Sequence, residues 1–128
     1  MKLVKLNEAK KFVNPKSCEV LEYELNDPDI NCATAKITGR YPNTGYCMNE
    51  KCKELIYVIN GTGTLNKENE IISFEKDDVI LINKGEKYYW NGNCEIVMPC
   101  TPAWYPEQHK IIEKWNFVFY FTMLLGKY

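Results

Sequence analysis

Apolar and polar side chains alternate at every second residue through much of this chain. In residues 54–59 the alternation puts Glu54, Ile56 and Val58 on one face, and in 87–90 it puts Tyr88 and Trp90 on one face. Similar short runs of β-favouring residues occupy 18–25, 32–39, 63–65, 70–74, 78–82 and 94–99. Dense turn chemistry separates them: Asn14-Pro15, Asn26-Asp27-Pro28-Asp29, Tyr41-Pro42-Asn43-Thr44-Gly45, Asn60-Gly61-Thr62-Gly63 and Asn91-Gly92-Asn93. Short strands at regular spacing with turns between them predict an all-β sandwich or barrel. Gly61-Thr62-Gly63 reads as a hairpin turn whose glycines supply positive φ.

Two segments break the pattern. Residues 100–110 read C-T-P-A-W-Y-P-E-Q-H-K, and Pro102 and Pro106 exclude a regular helix or a central strand there. Trp104, Glu107 and His109 make this the densest run of functional-looking side chains; the plainer reading is a fixed lid over one end of the sheets with Trp104 in the core. Residues 115–125, W-N-F-V-F-Y-F-T-M-L-L, are far more apolar than anything before them. A membrane-spanning helix needs roughly twenty residues. The tail is therefore expected to pack against the sheets or a second subunit.

At 128 residues a single domain is expected. The formal net charge is −1 and Arg40 is the only arginine, which argues against a nucleic-acid partner. Six cysteines suggest either a disulfide framework or reduced thiols. The start, Met1-Lys2-Leu3-Val4-Lys5-Leu6-Asn7, lacks the apolar core of a secretion signal, so a cytoplasmic protein with reduced, partly buried thiols is expected. Nucleophile-elbow, P-loop and dinucleotide-binding motifs are missing from the sequence.

Glu54 and Gly61 stand at E-x6-G spacing, and Gly85 and Tyr88 at the spacing of G-x2-H. These segments resemble the two motifs of the cupin superfamily, G-x5-H-x-H-x3-4-E-x6-G and G-x5-P-x-G-x2-H-x3-N, over about residues 30–110. Tyr88 stands where the last histidine belongs, and the H-x-H position holds either Met48-Asn49-Glu50 or Cys47-Met48-Asn49. Asp77-Asp78, Asn83 and Gly92 replace the Gly-Asp, proline and asparagine of the pattern.

The resemblance implies a cupin-type jelly-roll β-barrel, a double-stranded β-helix, with Glu54 and Tyr88 inside it. It divides the chain into an N-terminal strand or arm (1–29), a barrel (30–110) and an apolar extension (111–128). Three of the four usual metal ligands are absent, so neither metal nor other cofactor is expected; Asn49, Glu50 and Tyr88 would offer only weak oxygen ligands. The leading expectation is a cytoplasmic homodimer that binds a carbohydrate-like or polar small molecule without metal, through Asn49, Glu50, Glu54, Tyr88, Trp90 and Trp104. The alternative is a metal-independent sugar or sugar-nucleotide isomerase or epimerase. In it Glu54 and Tyr88 form the catalytic pair and His109 swings over the mouth.

Overall fold

A computed structural model describes residues 1–13, 15–113 and 120–122. The alternating runs form β1 (Lys10–Val13), β2 (Cys18–Tyr23), β3 (Asn31–Tyr41), β4 (Tyr46–Asn49), β5 (Lys53–Asn66), β6 (Ile71–Glu75), β7 (Val79–Ile82), β8 (Tyr89–Thr101), β9 (His109–Ile112) and β10 (Tyr120–Thr122). The larger sheet has the order β1-β2-β3-β8-β5-β6, with β7 also paired to β5; the smaller has the order β10-β9-β4. All pairings are antiparallel. Among the described residues no helix is long and apolar enough to cross a membrane.

Burial follows the alternation. Cys18 and Val20 of β2, Ala33, Ala35 and Ile37 of β3, Ile56 and Val58 of β5, and Cys94, Ile96 and Met98 of β8 share one core. Ile56, Val58 and Ile96 are completely buried, and each such side chain contributes about 1.5–3 kcal/mol. The alanines of β3 leave room for the larger residues opposite. The large sheet runs across the 29/30 boundary of the sequence reading, because β2 pairs with β3 along its whole length.

The smaller sheet joins the larger at one point. Cys47 and Tyr88 exchange backbone hydrogen bonds of 2.8 and 3.0 Å, and the Gly85 amide donates to the Asn49 carbonyl at 2.7 Å. This holds the end of β4 against the approach to β8. β9 then pairs with β4, bringing His109 opposite Asn49. The expectation that 100–110 holds no helix or central strand fails at both ends: β8 continues through Cys100 and Thr101 and β9 begins at His109, leaving only the stretch between them, with a 3-10 turn at Pro106–Gln108, outside the strands. The apolar tail 115–125 lies outside the described residues except for 120–122, whose backbone pairs with β9.

The structure corrects the sequence reading at two predicted turns. Residues 60–63 and 91–93 are not turns; they lie within β5 and β8 and pair with each other, Gly63 opposite Gly92. A bulge between Val58 and Asn60 bends β5 just before this point. A Cβ on Gly92 would sit 2.5 Å from the Cα of Gly63, and one on Gly61, where φ is +84°, would sit 2.1 Å from the Asn93 carbonyl oxygen. The glycines therefore mark a close approach of two bent strands.

Candidate functional site

Alternation carries Glu54, the second residue of β5, into the interior, where it is 4% exposed. The same rule turns Trp90 of β8 inward. Tyr88, held at the junction of the sheets, and Tyr41, at the end of β3, also face inward. Tyr41 is steadied by its neighbour Arg40, whose guanidinium donates to the carbonyls of Pro42 (2.7 Å) and Gly45 (2.9 Å) and lies 3.8 Å over the Tyr89 ring. Tyr41, Glu54, Tyr88, Trp90, Met98 and His109 line a cavity inside the barrel. About 20 Å³ of it is accessible to the centre of a water molecule, room for roughly one water.

Asn49 organises the polar end of this cavity from behind. Its amide nitrogen donates to Glu54 Oε1. Its Oδ1 accepts from Trp104 Nε1 (3.3 Å), Gln108 Nε2 (2.9 Å) and His109 Nδ1 (2.8 Å). Indole N–H can only donate, so the orientation of the Asn49 amide is determined by the network. It follows that His109 carries its proton on Nδ1. Nε2 of the neutral ring is then an acceptor, and it receives the Tyr41 hydroxyl at 3.2 Å. Gln108 braces the arrangement: its Oε1 accepts the amides of Lys51 and Cys52, both at 3.2 Å.

Burial without a countercharge controls the titration of these groups. It pushes the Glu54 carboxyl up to about 7, against a smaller downward pull from the Asn49 amide. It pushes the His109 imidazolium down to about 4, so the ring is neutral at physiological pH. Tyr88 is raised well above its ordinary value, first by burial and then by Cys47 and Glu54. The site thus combines a carboxyl that titrates near neutrality, a neutral imidazole in one tautomer, and two phenols.

The structure sorts the sequence candidates. Glu54, Tyr88 and Trp90 line the cavity. Trp90 is wedged edge-on against Phe74 (5.6 Å between centroids) and Tyr88 (6.3 Å), which makes it a wall. Asn49 and Trp104 are buried behind the cavity, with the Trp104 ring 5.6 Å from His109. Glu50 is a correction: Asn49 points inward at the end of β4, so its successor points to solvent and is exposed. His109 is another, because it does not need to swing over a mouth; it is 2% exposed and already inside. Glu107 is exposed. Tyr41 and Gln108 escaped the sequence reading, and only Gln108, next to His109, carried any local signal.

A transition metal does not fit. Among the described residues no three His, Cys, Asp or Glu side chains are grouped to hold one. The Asn49 oxygen is taken up by three donors, His109 Nδ1 by Asn49, and His109 Nε2 by Tyr41.

Comparison with known proteins places this geometry in a fold class. No family model and no curated protein matches the sequence. Many solved structures do match the fold. The nucleoside dehydratase Pac13 superposes with a TM-score of 0.79 at 17% identity, covering 88% of this chain and 92% of its own. Three single-substitution variants of Streptomyces Pac13 with uridine, two tyrosine-to-phenylalanine and one histidine-to-glutamine, superpose equally well. The polyketide cyclase RemF of Streptomyces resistomycificus gives 0.63 at 16% identity, covering 79% of each chain. The mannose 6-phosphate isomerase of Bacillus subtilis gives 0.60 at 15% identity over 71% of this chain and 27% of its own. The chain has the cupin fold, an all-β jelly roll built on antiparallel sheets.

Proposed function

We propose that this chain is a metal-independent enzyme that moves a proton on a small, uncharged, hydroxyl-bearing ligand inside the barrel. The observation that carries the reading is the Glu54 carboxyl, raised to about 7 by burial, in one enclosed space with the neutral His109 imidazole. A group that titrates near the working pH serves as both acid and base. Among the described residues no lysine or arginine lines the cavity, which disfavours a phosphorylated or nucleotide ligand and favours a neutral sugar or nucleoside. The dehydratase, cyclase and isomerase named among the structural neighbours support proton chemistry on oxygenated carbon skeletons in this fold. Met98 is the unbranched member of the lining and the natural side chain to yield when a ligand larger than water is admitted.

The test uses uridine and D-mannose as probes. Saturation-transfer NMR reads binding, and deuterium uptake from D2O at the mannose carbon next to the carbonyl reads proton transfer. Glu54→Gln is expected to slow uptake by about 100-fold or more while binding persists. Saturable binding of either probe with no uptake by the wild type would instead make the chain a binding protein, the first expectation from sequence.

A homodimer formed through β7 completes the proposal, in a reducing cytoplasm that suits six unpaired cysteines. Among the described residues β7 pairs only with β5, and Val79 and Leu81 on it are 61% and 52% exposed, beside exposed Leu55 and Tyr57. A two-fold axis through Ile80 would set exposed Val79 opposite exposed Leu81 of the second copy on the same face, so the strand is complementary to itself in shape. Leu81→Lys is expected to convert a dimer to a monomer in sedimentation velocity; an unchanged sedimentation coefficient would count against this edge.

A further inference from the structure

We infer that Tyr41 is the catalytic residue that exchanges the proton with the ligand, with His109 behind it as proton acceptor and Asn49 as the positioning residue for the imidazole. This rests on the acid/base reading of the cavity above. The chain of contacts is continuous: Tyr41 Oη to His109 Nε2 at 3.2 Å, then His109 Nδ1 to Asn49 Oδ1 at 2.8 Å. Tyr41 and His109 both line the cavity, whereas Asn49 does not. The phenol therefore meets the ligand, and the amide acts only through the ring.

The direction of proton flow follows from the tautomer. With its proton on Nδ1, the imidazole cannot donate toward the cavity; its Nε2 lone pair faces the Tyr41 hydroxyl. As Tyr41 Oη takes a proton from the ligand, its own proton passes to Nε2. The ligand then holds the electron pair of the broken bond, Tyr41 is again a neutral phenol, and His109 is an imidazolium. The reverse sequence returns the proton to a different atom of the ligand. The Glu54 carboxyl borders the same cavity and is tied to the same asparagine. Tyr88, just before β8, and Cys18 of β2 are the other titratable groups lining this space, with Cys47 of β4 against Tyr88, and burial keeps all three protonated. A lone neutral histidine becomes a useful base in this setting because Asn49 prevents the alternative tautomer, in which Nε2 would carry the proton and Tyr41 would have no acceptor.

His109 is the only histidine of the chain, so nitrogen-15 NMR of the intact, uniformly labelled protein reads this ring without assignment ambiguity. The expected spectrum has Nδ1 protonated and Nε2 unprotonated, with Nε2 shifted by its hydrogen bond. Tyr41→Phe should move Nε2 alone to its free value, lower the melting temperature modestly with the fold kept, and lower deuterium uptake by D-mannose by about 100-fold or more with binding retained. Asn49→Ser should give a mixture of tautomers. A ring protonated on Nε2 would overturn the assignment whatever the activity. Wild-type uptake that persists in Tyr41→Phe would overturn the role of Tyr41 and leave the acid/base reading intact. No uptake by the wild type would sink that reading and the role of Tyr41 with it, while the tautomer result still decides the part played by Asn49.

Discussion

Glu54→Gln should make the protein lose about 3 kcal/mol of stability as the pH falls from 6.5 to 4, a loss that the wild type conceals. Two buried groups with opposite habits explain it. Glu54 has its folded-state pKa raised from 4.5 to about 7. Its contribution is fully present below pH 4.5 and is lost as the pH rises to 7. His109 has its folded-state pKa lowered from 6.5 to about 4. Its contribution is present above pH 6.5 and is lost as the pH falls to 4. At 1.36 kcal/mol per pH unit each is worth about 3 kcal/mol, and over the shared window the two slopes cancel. Glu54→Gln exposes the histidine slope; His109→Asn, which keeps a donor for Asn49, should expose the reverse slope, with stability falling from pH 4.5 to 7. Urea titrations at half-unit steps, each variant against wild type, measure both. Superimposable profiles for wild type and Glu54→Gln would mean that the carboxyl is solvated.

Asn49→Ala is expected to destabilise the protein by about 4 kcal/mol or more. The substitution strips a buried acceptor from Trp104, Gln108 and His109 and a donor from Glu54. Each buried group left without a partner costs about 1–3 kcal/mol, with water in the new hole recovering a part. Against a total of roughly 5–15 kcal/mol for a protein of this kind, that is a large share of the stability. Asn49→Asp tests the origin of the effect. It keeps an acceptor for the three donors, sets a second carboxylate against Glu54, and should raise the Glu54 pKa further while losing less stability below pH 4.5. A loss under about 1 kcal/mol in Asn49→Ala would show that the network is replaceable by water.

The parts of this structure legible in the sequence are those set by neighbours along the chain. Two-residue alternation gave β2 and β3 nearly to their ends and turned Glu54, Tyr88 and Trp90 inward. Glycine misled the reading at 60–63 and 91–93, since the same residue answers to a positive φ in a turn and to a backbone too close for a Cβ. The hub of the site was out of reach for a different reason. Asn49 and His109 meet across 60 residues of sequence, through the pairing of two four-residue strands too short to show a period. Tyr41 looked like the first residue of a turn, and its role exists only where the end of β3 passes the start of β9.

The contact between Gly63 and Gly92 also has a bearing on ancestry. Identity to the structural neighbours named above is 17% or less, and no family model finds this chain. The bend where β5 crosses β8 leaves no space for side chains at 61, 63 and 92. Any chain that keeps this crossing must keep those positions bare, however far the rest has drifted. A G-x-G in one long strand and a lone glycine in its partner, joined to an inward glutamate seven residues before the first glycine, form a fingerprint dictated by sterics, by which distant kin of this protein could be sought.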